Sequence, residues 1–165
     1  KWTVAALVNL SSSGLSGRSF ANGKKMYAAA QCASCHRFLG AGGSQAHDLS
    51  NLAGRFSIKD LCESIVEPSK VISDQYRPSF IETSNGKIIS GRIVGEEQGQ
   101  LVVQTDPLDP NKVTKVAKTD VESSKHSPVS MMPQELLNRL NQEEVLDLIA
   151  YLLSRGNAED RMFAN

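Results

Sequence analysis

Cys32-Ala33-Ser34-Cys35-His36 is the stretch on which the reading of this chain turns. Two cysteines three apart, followed at once by a histidine, form the attachment pattern of a c-type haem, and the chemistry accounts for every fixed position. On one turn of helix both sulfurs project to the same side, where each adds to one vinyl group of the porphyrin. His36 then stands where its imidazole reaches the iron as an axial ligand. The competing readings are a chance pattern, a disulfide loop or half of a zinc site. Zinc would need a second pair of cysteines or histidines at ligand spacing, and the chain offers only Cys62, His47 and His126, scattered singly.

Upstream of the motif, Ser19 caps a predicted helix running to about Gln31, with Gly23, Met26, Tyr27 and Ala30 on one face. A glycine inside a helix costs about 1 kcal/mol against alanine, so Gly23 points to a second backbone crossing closely there. Further upstream, a short apolar run, Trp2 to Leu10, passes into Ser11-Ser12-Ser13-Gly14-Leu15-Ser16-Gly17, which by composition reads as a flexible linker. No signal peptide is visible and the run is too short to span a bilayer, so the chain reads as a mature or excised fragment with no transmembrane segment.

Downstream, Gly40 to Ser44 is a loop without periodicity, and Ser57-Ile58-Lys59-Asp60 is a capping box opening a helix that Pro68 stops. Cys62 falls in that helix's apolar segment, as a buried, inert thiol. Beyond Pro78 the period becomes that of strands. Phe80 to Thr83 and Lys87 to Val94 flank an Asn85-Gly86 turn, followed by Leu101 to Thr105 and Val113 to Ala117. Helix returns after Pro133, with Asn141 and Glu144 as a capping-box-like start and Val145, Leu146, Leu148, Ile149, Leu152 and Leu153 as an apolar stripe ended at Gly156.

At 165 residues with 40% apolar composition, the chain is one ordinary domain, or one domain with an insertion. Its zero formal net charge argues against a nucleic-acid binder, which would show a basic excess. Charge is nevertheless unevenly placed: residues 1 to 47 hold five basic residues and no acidic one, while residues 134 to 165 hold six acidic and three basic. The two ends should attract.

An iron ligand opposite His36 must come from elsewhere in the chain, from Met132, Met131, His126 or His47. A thioether is a soft ligand that favours ferrous iron and raises the potential; a second histidine would lower it, and an empty position would bind small molecules. Met132, held before Pro133 at the entry to a helix, is the first choice and Met131 the second.

Gly23 and Tyr27 before the CxxCH stretch, the Met132-Pro133 pair, and Leu148-Ile149-Ala150-Tyr151-Leu152 resemble the class I c-type cytochromes. The segments Gly42-Gly43, Asp48-Leu49, Arg55-Phe56-Ser57, Pro68 to Ile72, Gly91 to Val94 and Ser130 to Pro133 extend this over about residues 18 to 156. The chain there is similar to the haem-binding c-type cytochrome domains of multidomain secreted proteins of Planctomycetes and Verrucomicrobia. The resemblance implies a mainly α, class I cytochrome c fold, with a small antiparallel β insertion between the third helix and the axial-methionine loop. The core would be residues 18–77 and 124–156 and the insertion 78–123, with tails at 1–17 and 157–165. Gly23, Tyr27 and Tyr151 would meet at a helix crossing.

It further implies one covalently attached haem c, with thioethers at Cys32 and Cys35, iron ligands at His36 and Met132, and wall contacts from Leu49, Leu52 and Phe56. Arg55 would pair with a propionate. There is one departure: Ala46-His47-Asp48-Leu49 stands where the family has Gly-Pro-Asp-Leu. The carbonyl that orients the proximal histidine survives in any residue, but His47 lacks the proline's rigidity and adds an imidazole with an unperturbed pKa of about 6.5.

The implied function is one-electron transfer at a monohaem domain in a periplasmic or otherwise extracytoplasmic space. The chain would be no enzyme in itself but part of a larger oxidoreductase, taking electrons from an attached or partner dehydrogenase domain. Lys24, Lys25 and Arg37 would form a docking rim for an acidic partner. Two other classes stay open. A haem sensor or peroxidase-like enzyme would need an open or displaceable distal position. A binding module would make the β insertion the working part, against which counts its having Phe80 as its one aromatic.

Overall fold

The computed structural model describes residues 1–164. The chain divides into two compact units, one of residues 1–67 together with the stretch from 134 onward, the other of residues 68–133.

The first unit is built from helices whose ends the sequence specifies. Helix α1 is Val4–Gly14, capped by Thr3, and it buries Leu7 and Ser11. Ser11 to Gly14 thus complete a helix, where their composition suggests linker. The reason is tertiary: Leu7 packs into the core and the Trp2 indole N–H donates to the Leu140 carbonyl at 3.3 Å, which outweighs the poor helix propensity of serine and glycine. Helix α2, Phe20–Ala29, has Ser19 as its cap, its Oγ accepting the Asn22 N–H at 3.1 Å. Gln31 then turns into the left-handed region at φ 63°, so that α3, the single turn Cys32–Cys35, does not continue α2. Strands β1 (Arg37–Phe38) and β2 (Ala41–Gly42) make a minimal antiparallel ladder. A 3-10 turn at Leu52–Gly54 precedes α4, Ile58–Val66, which opens on the Ser57/Asp60 capping box and buries Leu61 and Cys62.

The second unit contains β3 (Ser79–Thr83), β4 (Ile88–Glu97), β5 (Gln100–Gln104), β6 (Val113–Ala117) and β7 (Val121–His126). They form one antiparallel sheet in the order β6-β5-β4-β3-β7. Ile81, Ile89, Val103 and Val116 make its own small core. The edge strands β6 and β7 are joined only by a 3-10 turn, Lys118–Asp120. Four interstrand gaps in a flat sheet span about 19 Å, whereas the chain from Ala117 to Val121 reaches at most about 14 Å. The sheet must therefore curl so that its two edges approach, helped by the irregularity between Ile93 and Gly95 in the long strand β4. Both ends of the connecting turn are pinned: the Lys118 N–H donates to the Gly99 carbonyl at 3.0 Å, and the Asp120 carbonyl accepts the Ser84 N–H at 2.8 Å.

Helix α5, Gln142–Leu153, completes the first unit from a second capping box, Asn141 with Glu144, and buries Val145 through Leu152. It crosses α2 at Gly23, where a Cβ would collide with the Asp147 carbonyl oxygen and the Tyr151 Cβ. The Tyr27 and Tyr151 rings lie 5.8 Å apart beside it. Buried Asp147 is satisfied by the Ser19 N–H at 3.0 Å and the Asn22 side-chain amide at 2.8 Å. The expected attraction of the two chain ends is visible as Arg18 with Glu143 at 2.8 Å and Lys1 with Glu135 at 3.1 Å.

The expectation of a mainly α, class I cytochrome c fold is corrected by these elements. The structure is 34% helical and 21% strand, with a five-stranded antiparallel sheet. A sheet with its own buried aliphatics is a second core, not a decoration of a helical one.

Candidate functional site

The attachment turn is a helix too short to satisfy its own carbonyls, and the following loop does that for it. The Gly43 N–H donates to the Ala33 carbonyl at 2.9 Å and the Ala46 N–H to the Cys35 carbonyl at 3.0 Å, while the His36 N–H closes the turn onto Cys32 at 2.9 Å. The loop approaches closely enough that a Cβ on Gly42 would collide with the His36 carbonyl oxygen, and one on Gly43 with that of Ser34. Gly42 also sits at φ 106°, where side chains are strained. Cys32 and Cys35 are both half-buried. Burial pushes the Cys32 thiol up to about 11.

His36 leaves the turn in an extended conformation. Its Nδ1 lies 2.7 Å from the His47 carbonyl oxygen. A carbonyl only accepts, so Nδ1 is the protonated nitrogen and Nε2 carries the free lone pair. Burial lowers the His36 pKa; the His47 carbonyl opposes this and the His47 imidazole adds to it, so the ring is neutral at neutral pH. From behind, the Tyr27 hydroxyl donates to the His36 backbone carbonyl at 3.2 Å. His47 itself is shifted down by burial and then by the Arg55 cation.

Of the other expected site residues in this unit, Leu52 is buried, Leu49 is half-buried against the helical core, and Arg55 and Phe56 are exposed. Lys24, Lys25 and Arg37 are also exposed. Cys62 is 0% exposed and its thiol is pushed up to about 11 by burial, which keeps it protonated and unreactive at neutral pH. Met131, Met132 and His126 belong to the strand-rich unit. There His126 ends β7, opposite Ser79, and the two methionines are half-buried in the segment that follows.

These residues fit a covalently bound haem: two thiols one helical turn apart, then an imidazole whose Nε2 is left free by the bond at Nδ1. The Tyr27 hydroxyl and the glycine-lined loop under the turn complete the support. The sequence places Tyr27 on one face of α2 and Gly42-Gly43 in a loop, and neither reading includes the support they lend to the attachment turn. The glycine pair, which must admit backbone to backbone, was the legible signal; the direction of the Tyr27 hydroxyl was not.

Among the described residues no helix is long and apolar enough to cross a membrane, and no three histidine, cysteine, aspartate or glutamate side chains gather as a metal site. No curated protein matches the sequence. The family model described as Cytochrome c matches residues 20–87, which run from α2 through the attachment turn and α4 to the turn after β3. That match supports a c-type cytochrome; a domain of that family implies a covalently attached haem c and suggests haem-based electron transfer.

Proposed function

We propose that the protein is a monohaem one-electron carrier. Cys32 and Cys35 hold the porphyrin through thioethers, and His36 and Met132 ligate the iron, with Met131 the second choice for the distal position. Leu49, Leu52 and Phe56 supply apolar wall and Arg55 pairs with a propionate. When bound, haem c supplies an Fe(III)/Fe(II) couple.

The observation that carries this reading is the 2.7 Å contact between His36 Nδ1 and the His47 carbonyl. It selects the tautomer whose Nε2 ligates, orients the ring and raises its basicity. A methionine thioether as the second ligand would favour the reduced state, so the pair would set a relatively high potential. The Tyr27 hydroxyl and the Gly42-Gly43 loop hold the attachment turn in place.

The donor in this reading is a dehydrogenase, attached or separate, in a periplasmic or other extracytoplasmic space, where cytochrome c domains typically work. The resemblance of its short segments to the haem-binding domains of Planctomycetes and Verrucomicrobia is what suggests such a donor. The ferric absorption spectrum of the holoprotein tests it. A far-red sulfur-to-iron charge-transfer band is expected, lost in Met132→Ala and kept in Met131→Ala. A wild type without the band overturns methionine ligation; a high-spin spectrum then favours an open distal site, and a low-spin one His126 or His47.

A further inference from the structure

Two segments singled out in the sequence, Pro68 to Ile72 and Ser130 to Pro133, stand far apart in the chain and meet in the strand-rich unit. The Ser69 Oγ accepts the Ser130 N–H at 3.0 Å across 61 positions. The Ser130 Oγ in turn accepts the Met132 N–H at 3.1 Å. At the start of the same segment the Ser127 N–H donates to the Pro78 carbonyl at 2.9 Å, and the buried Ser127 Oγ accepts the Val129 N–H at 3.1 Å. Residues 127–133 are neither helix nor strand, so no regular ladder holds their backbone. Serine hydroxyls hold it instead, and Pro133 closes the segment with a fixed φ.

From this we infer that Ser69 and Ser130 are positioning residues for Met132, a two-hydroxyl clasp that fixes the backbone from which the thioether is presented. The inference rests on the reading of Met132 as an iron ligand. A ligand offered from a loose loop must order that loop each time it binds, and its hold on the metal is weakened by that cost. The clasp makes the ordering in advance. It thereby determines how readily an outside ligand displaces Met132, and so whether the distal position behaves as closed or open.

Imidazole titration of the ferric holoprotein reads this displacement directly. Loss of one such hydrogen bond should lower the apparent Kd for imidazole about three- to tenfold in Ser69→Ala and in Ser130→Ala, while Ser69→Thr, which keeps the hydroxyl, stays at the wild-type value. Amide exchange at Ser130 should quicken in Ser69→Ala, and exchange at Met132 in Ser130→Ala, a readout independent of redox activity. If the far-red band is present in the wild type and both alanine variants bind imidazole as the wild type does, the positioning role is overturned while Met132 ligation stands. If the wild type lacks the band, ligation itself fails and the role falls with it.

Discussion

Gly23 stands where the backbone of α5 leaves no room for a methyl group. The obstructing atoms are the Asp147 carbonyl oxygen and the first side-chain carbon of Tyr151, neither of which can swing aside as the tip of a long side chain would. Alanine there gains about 1 kcal/mol of helix propensity but forces the two helices apart. Gly23→Ala should therefore lower the unfolding free energy of the holoprotein by about 1–3 kcal/mol net, seen as an earlier midpoint in denaturant. At this scale the sequence was most legible where one residue has one physical use. The cysteines and histidine of the attachment turn, and a glycine inside a helix, are of this kind. The Tyr27 hydroxyl on the His36 carbonyl was not legible, because it depends on a rotamer and on where α3 is aimed after Gln31.

The helices begin where their caps predict. In α4 the Ser57 hydroxyl donates to the Asp60 carboxylate at 2.7 Å and the Ser57 N–H at 3.0 Å, while the Asp60 N–H returns to Ser57 Oγ at 3.1 Å. The side-chain bond from Ser57, then the backbone one, hold the Asp60 carboxyl below its ordinary value. A depressed folded-state pKa contributes stability that is whole above the unfolded value of about 3.9 and is lost as pH falls through the folded value. Denaturation midpoints taken between about pH 5 and pH 2 should thus fall more steeply for the wild type than for Asp60→Asn, whose amide keeps an acceptor but does not titrate. Equal slopes would show that the carboxylate contributes nothing. Caps and Asn-Gly turns are local, so element ends could be read; β7 could not. Glu122 to His126 is wholly exposed and carries no apolar alternation, and its strand state comes from pairing with β3 alone.

At the scale of the molecule, that unreadable strand widens the sheet. With β7 the sheet gains its fifth strand and β3 lies inside it, with Ile81 fully buried among Ile89, Val103 and Val116. Ile81→Ala should cost about 3 kcal/mol, with faster amide exchange at its ladder partners Ile89 and Ser124 as the measurement. The helical stripe and the haem motif could be read before the fold because they are set by neighbours in sequence. The strands that carry the second core, Ile81, Ile89, Val103 and Val116, could be read one by one; that their apolar faces close on one another could not, because alternation marks a face and not what covers it. The Ser69–Ser130 bond has one more consequence. Close to its entry at Pro68 and its exit at Pro133, the strand-rich unit is tied to itself by a single hydrogen bond, Ser130 to Ser69. Once residues 68–133 have folded, the helical chain on either side meets them as though they were a loop of a few residues. Loop-closure entropy then falls by roughly 2–3 kcal/mol relative to an unfolded insert of that length. Such a unit is a cassette, able to be carried by its host at little entropic cost.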